Sequence, residues 1–158
     1  MCGIVGYIGE KPVYDVLING LKKLEYRGYD SSGIMIYNKS SLVKKSIGKV
    51  SALESLFDNY KDKKGTIGIG HTRWATHGPP NQVNSHPHVS NSGEISLVHN
   101  GIIENYNSIK KILLKKGYVF NSDTDSEVLV NLIEDIKKVK KVKLGKAVYY
   151  ALKQVIGA

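Results

Sequence analysis

The sequence predicts an α+β fold in a single domain, and three observations carry the prediction. β-prone runs and helical periodicities alternate in irregular order along 158 residues. The early β runs stand at hairpin distance, while helical segments separate the later ones. The 41% hydrophobic content is ordinary for a globular domain with one sizeable core.

The elements follow in order. Residues 1–8 read as a strand, because Ile4, Val5, Tyr7 and Ile8 are β-formers broken by Gly3, Gly6 and Gly9. Pro12 stands where a helix starts. Val13, Val16, Leu17, Leu21 and Leu24 then recur at helical spacing until Gly28. Residues 34–37 and 42–47 predict strands around the turn-forming Asn38-Lys39-Ser40, and Val50, Leu53, Leu56 and Phe57 mark a short helix. Residues 66–71 predict a strand with Gly68 and Gly70 on one face and Ile67 and Ile69 on the other. A face without side chains predicts that something packs or binds very close to it. A further strand covers 95–99, and Asn105 or Asn107 caps a helix carrying Ile109, Ile112 and Leu113. Thr124 with Glu127 is a capping-box signature, opening a helix through Leu129, Leu132, Ile133 and Ile136. The last helix carries Leu144, Ala147, Val148, Ala151 and Val155. Between them, residues 74–93 lack apolar periodicity and hold Pro79, Pro80, Pro87 and three of the five histidines. A loop of that length in a compact domain is functional or disordered, and its density of Trp, His and Arg neighbours argues for function.

Charge excludes less than it suggests. The net charge is +9, yet the only arginines are Arg27 and Arg73, so bidentate reading of phosphate or guanine is nearly absent. The lysines fall on polar helix faces (Lys110, Lys111, Lys115 and Lys116), and the run 137–143 is interrupted by Val139 and Val142. No nucleic-acid partner is expected. No apolar run is long enough to cross a bilayer and no secretory signal opens the chain, so no membrane partner and a cytoplasmic location are expected. The single cysteine excludes an intrachain disulfide.

Four features bear on chemistry. Cys2 is the sharpest. A lone cysteine is ordinarily a small buried hydrophobe, but removal of Met1 would make it the first residue, with a thiol and a free α-amine together. Such an amine has a pKa of about 7.7–8.0 in model peptides and can act as base for its own side chain. Next, Arg73 lies in His71-Thr72-Arg73-Trp74-Ala75-Thr76-His77-Gly78 at the end of the glycine-faced strand. It can grip a carboxylate in a two-bond fork, or it can be a surface salt bridge. Asn100-Gly101 can supply two oxyanion donors; on the residues alone a tight turn is the stronger alternative. Finally, Asp123 and Asp125 suit a first helical turn through capping and the helix dipole, and a role toward an ammonium group would be additional. Two other motifs fail. The opening glycines do not make G-x-G-x-x-G, and His86-Pro87-His88 lacks the partners of a metal site.

Taken together, these stretches resemble a known family. Met1-Cys2-Gly3-Ile4-Val5-Gly6-Tyr7-Ile8-Gly9 is similar to the opening of class II glutamine amidotransferases, which are N-terminal-nucleophile hydrolases. Leu24-Glu25-Tyr26-Arg27-Gly28-Tyr29-Asp30-Ser31, residues 70–78, Asn84-Ser85-His86-Pro87-His88 and Val98-His99-Asn100-Gly101-Ile102-Ile103-Glu104-Asn105 resemble the glutaminase part of the glucosamine-6-phosphate synthase family. The resemblance implies a four-layer αββα sandwich and glutamine hydrolysis through a Cys2 thioester. Asn100 and Gly101 would hold the oxyanion. Arg73, supported by Thr76 and His77, would hold the substrate carboxylate. Asp125, beside the Gly101 carbonyl, would hold the ammonium. Trp74 would belong to a closing loop, with His86 in support of that loop. It implies no cofactor and no metal, L-glutamine as ligand, and a homo-oligomeric full-length enzyme that passes ammonia to fructose 6-phosphate.

In that family the glutaminase domain runs on for several tens of residues and sugar-isomerase domains follow. The expectation is therefore a domain over 1–158 that stops before its last strands, C-terminally incomplete, with the isomerase domains and their fructose 6-phosphate site absent. A truncated, non-catalytic glutamine-binding or interaction module is the alternative.

Overall fold

The computed structural model describes residues 2–57, 63–74 and 81–157. The chain divides into two compact units, Met1–Pro87 with Leu97–Asn100, and His88–Ser96 with Gly101–Ala158.

The first unit is built on a four-stranded antiparallel sheet. Its strands are β1 (Gly3–Ile8), β2 (Ser31–Asn38), β3 (Ser40–Ile47) and β4 (Ile67–Arg73), in the order β1-β4-β2-β3. Strands β2 and β3 form the expected hairpin, longer than its apolar runs suggested. Asn38 pairs with Ser40, and Lys39 sits at the tip with a φ of 64°. Helix α1 (Val13–Leu24) lies on one face. Pro12 is its N-cap rather than its first helical residue, and Val13 donates its N–H to the Gly65 carbonyl at 2.8 Å. The side-chain-free face of β4 receives this helix. A Cβ on Gly68 would lie 2.9 Å from Leu17 Cδ1, and one on Gly70 would lie 3.1 Å from Leu21 Cδ1. Val13, Leu17, Leu21, Ile34 and Ile36 fill that interface, and Val50 and Leu53 of the short helix α2 (Val50–Glu54), with Phe57, complete the core. Nonpolar burial of this kind contributes roughly 1.5–3 kcal/mol per large side chain.

The opposite face is partly covered by residues 81–87. These form no regular element but are held firmly. Asn81 Oδ1 accepts the Asn84 N–H at 2.7 Å, Ser85 Oγ donates to the Asn81 carbonyl at 2.8 Å, and Gln82 Nε2 donates to the Lys45 carbonyl of β3 at 2.9 Å. Asn84, Ser85 and His86 are buried as a result. The rest of that face carries exposed apolar side chains, among them Ile4, Ile8, Tyr37, Ile47 and Ile67.

The second unit contains helices α3 (Tyr106–Lys115), α4 (Asp125–Lys140) and α5 (Leu144–Leu152). Short strand β5 (His88–Val89) pairs with β6 (Ser96–Leu97), and β6 is shorter than the strand expected over 95–99. Ile109, Leu113, Val128, Leu132, Ile136, Ala147 and Ala151 are buried. The buried polar groups of α4 have partners. Asn131 Oδ1 accepts the Asn91 N–H at 2.9 Å, and Glu134 accepts from Ser92 Oγ at 2.7 Å, so the 88–96 hairpin is stitched to the helix. Burial pushes the Glu134 carboxyl up, but hydrogen bonds from Ser90 and Ser92, with Lys138 nearby, outweigh it and hold the carboxyl below its ordinary value.

Three local expectations are corrected. Asn105 is the N-cap of α3 by position but its side chain caps nothing. Instead, it donates to the Gln154 carbonyl at 2.8 Å and accepts from Ile156 N–H at 2.9 Å. The last helix ends at Leu152, with Val155 beyond it. The capping box is half made: Thr124 Oγ1 accepts the Glu127 N–H, while the Glu127 carboxylate turns to Asn121 and Ser122.

Candidate active site

In the first unit the register of the sheet gathers one end of three strands. Gly3 pairs with Thr72, which sets Cys2 against the end of β4, and Ser31 pairs with Arg73. Gly3 N–H donates to Thr72 Oγ1 at 3.1 Å and fixes the start of β1. Cys2 is half-buried. Its Sγ accepts the backbone N–H of Trp74 at 3.2 Å and lies 3.6 Å from the Trp74 carbonyl oxygen.

Arg73 is only 4% exposed. Burying a guanidinium is costly unless it is paired, and Asp30 is an acidic partner, with Oδ1 3.9 Å from Nη1. Asp30 also donates its N–H to the Arg73 carbonyl at 2.8 Å, and Ser31 Oγ donates to the same Oδ1 at 2.9 Å. The salt-bridge alternative is therefore half right: an ion pair exists, but the arginine is not on the surface. Trp74 is half-exposed, and its ring lies over Gly28. Glycine is required there twice: φ is 105°, and a Cβ would lie 2.7 Å from Trp74 Cε3.

On the same face as Arg73, His71 stacks on His86 with ring centroids 4.3 Å apart. Burial, then the charges of Arg73 and His99, push the His71 pKa down from 6.5 to about 4. The imidazole is neutral in the folded chain but takes a proton near pH 6.5 when unfolded. Its contribution to stability is therefore complete above pH 6.5 and is lost as pH falls toward 4, at up to about 1.4 kcal/mol per pH unit. Urea midpoints are expected to fall across that window, and His71→Gln to flatten the fall; an unchanged slope in the variant would refute the assignment.

Asn100 and Gly101 follow β6, and Asn100 is exposed. Neither has the left-handed backbone that a type I′ hairpin turn demands at both central positions, so that form of tight turn is not made there. In the second unit Asp125 opens α4 and is buried. Its Oδ2 accepts the Ile103 N–H at 2.7 Å, so it holds the chain two residues beyond Gly101. Asp123 is exposed. Thr76 and His77 lie outside the described residues. Sequence reasoning passed over Asp30 and His71 as participants, although both stand inside quoted motifs. No local pattern marks a residue whose work is to hold another.

This geometry can now be set beside known proteins. A family model described as "Glutamine amidotransferase domain" matches residues 57–146. The chain belongs to that family of glutamine amidotransferase domains. Its similar curated relatives carry the name glutamine–fructose-6-phosphate aminotransferase (isomerizing). The protein of Bacteroides thetaiotaomicron is 58% identical over 160 residues, covering all of this chain and 26% of the relative. That of Chlorobaculum tepidum is 53% identical over 161 residues, with the same coverage. That of Pyrococcus horikoshii is 55% identical over 136 residues, covering 85% of this chain and 23% of the relative. The chain thus spans about a quarter of the length of the relatives it matches. Among solved structures, glutamine phosphoribosylpyrophosphate amidotransferase from B. subtilis, complexed with ADP and GMP, matches all of this chain and 34% of that chain. Its TM-score is 0.81 at 26% identity. A structure titled as the allosteric regulatory enzyme of purine biosynthesis matches with a TM-score of 0.82 at 27% identity. The fold is α+β, of the N-terminal-nucleophile hydrolase type. No helix among the described residues is long and apolar enough to cross a membrane.

Proposed function

We propose that this chain performs the glutaminase half of an amidotransferase reaction, with Cys2 as nucleophile after loss of Met1. Cys2 Sγ attacks the side-chain amide carbon of L-glutamine, and the α-amine of the same residue moves the proton. The Asn100 side-chain amide and the Gly101 N–H stabilise the tetrahedral oxyanion. Collapse breaks the C–N bond, releases ammonia and leaves a thioester, which water hydrolyses to glutamate. Arg73, with Thr76 and His77, receives the substrate carboxylate; Asp125 receives the ammonium; Trp74 belongs to the closing loop; and His86 supports that loop. In the longer protein the ammonia goes to fructose 6-phosphate through sugar-isomerase domains, giving glucosamine 6-phosphate in a cytoplasmic homo-oligomer.

One observation carries this reading: the only cysteine lies against the backbone N–H of the residue that follows a buried arginine. A glutamine-mimicking electrophile such as 6-diazo-5-oxo-L-norleucine is expected to add once to the chain, at Cys2, by intact-mass and fragment analysis. A form retaining Met1 is expected to react negligibly. Either an unmodified processed chain or full reaction with Met1 in place would refute the proposal.

A further inference from the structure

We propose that Ser122, Thr124, Glu127 and His88 form a positioning relay that aims Asp125 and, through it, the segment after Gly101. The proposal deepens the functional reading above and rests on its assignment of Asp125 to the substrate ammonium. All four side chains are buried, and all belong to the second unit.

The hydrogen bonds fix a direction. The Glu127 carboxylate accepts the Asn121 N–H at 2.9 Å, the Ser122 N–H at 2.7 Å and the Ser122 hydroxyl at 2.6 Å. The Ser122 proton is thereby committed, so its oxygen must accept from the Thr124 hydroxyl, 2.9 Å away. The Thr124 oxygen already accepts the Glu127 N–H at 3.3 Å. With its own proton given to Ser122, it receives His88 Nε2–H at 2.9 Å. One carboxylate thus sets every proton position back to the histidine, and it selects the tautomer of His88 protonated on Nε2. Nothing in this chain of bonds touches Cys2 or Arg73.

Its product is the placement of Asp125, the residue directly after Thr124. The Asp125 carboxylate is engaged on one side by the Ile103 N–H at 2.7 Å and on the other by Ser126 Oγ at 3.4 Å. A simple N-cap needs only the Thr124 hydroxyl and the Glu127 N–H. The buried serine, glutamate and histidine exceed that need. Fully satisfied buried networks of this kind specify one geometry at the cost of desolvating several polar groups, and here the geometry specified is that of a carboxylate proposed to meet substrate.

The test compares two ligands that differ at one group. Protection of Cys2 against 6-diazo-5-oxo-L-norleucine is measured with L-glutamine and with 4-carbamoylbutanoate, which lacks the α-ammonium. The unaltered, Met1-processed chain is expected to be protected at concentrations at least about tenfold lower by glutamine, the difference that about 1.4 kcal/mol of ion pairing gives. Asp125→Asn is expected to abolish that preference. Thr124→Val and Ser122→Ala are expected to cut it several-fold while leaving protection by 4-carbamoylbutanoate nearly unchanged, and Thr124→Ser to restore it. A relay that merely stabilises the fold would weaken both ligands equally. Retention of the full preference in both Thr124→Val and Ser122→Ala, alongside its loss in Asp125→Asn, would overturn the relay. Retention in Asp125→Asn would overturn the assignment of Asp125 itself. Should Thr124→Val fail to fold, Ser122→Ala carries the comparison, because it removes the middle of the relay and leaves the helix cap intact.

Discussion

Replacing Cys2 by alanine is expected to abolish glutamate release from L-glutamine, a loss of at least about 10³-fold, with glutamine binding retained. Removing a nucleophile costs orders of magnitude because no other group supplies the covalent step. The sequence contains no second cysteine, and no neighbouring thiol can substitute. The structural cost is small by comparison. Cys2 is half-buried, and the Trp74 N–H that loses its sulfur acceptor remains within reach of water. Serine at the same position keeps an acceptor for that N–H but offers a hydroxyl far weaker as a nucleophile, so it is expected to be nearly as inactive. A coupled glutamate assay beside thermal unfolding separates the two effects, and a variant that releases glutamate at an undiminished rate would remove Cys2 from the mechanism.

Gly33→Ala is expected to destabilise the first unit by about 3 kcal/mol, near the upper end of what overpacking costs. A Cβ on Gly33 would lie 2.1 Å from the carbonyl oxygen of His86 and 3.1 Å from that of Lys44. Both obstacles are backbone atoms, so no rotamer change relieves them. Either β2 moves or residues 84–87 lift off the sheet, and the second course separates His86 from His71. Gly6→Ala is the matched control: it lies in β1 of the same sheet, where a new Cβ meets nothing within 4 Å, and it is expected to be neutral or slightly stabilising. Equal urea midpoints for the two variants would show that the 84–87 segment yields without cost.

The order of elements was largely legible in the sequence because period-two and period-3.6 patterns report which side of a segment is buried. The bare face of β4 was also legible, since two glycines at alternate positions remove side chains from one side only. What packs there was not legible: Leu17 and Leu21 announce a helix, not its destination. The helix caps that failed share a cause. The Asn105 side chain is drawn to residues 154–156 and the Glu127 carboxylate to Asn121 and Ser122, and helix propensity carries no record of either choice. The candidate site shows the same division. Cys2, Arg73, Asn100, Gly101 and Asp125 stood out by chemistry and by resemblance. Asp30, His71 and the Ser122–Thr124–His88 relay touch other residues of the protein, and the motifs that contain them do not reveal those contacts. The long stretch 74–93 was rightly singled out as unusual, but its described part after residue 80 owes its order to side-chain capping and burial rather than to periodicity.

One peptide plane separates the Arg73 carbonyl from the N–H that Cys2 Sγ accepts. The carbonyl of that plane is clasped by Asp30 and the N–H by the sulfur, so the two clasps turn about a common axis and cannot be adjusted independently. Any tilt that re-aims the arginine's anchor swings the sulfur's donor with it. Displacement at Asp30, an acidic residue remote in sequence from the thiol, is thereby passed to the N–H that faces the sulfur, as a lever passes motion across its fulcrum.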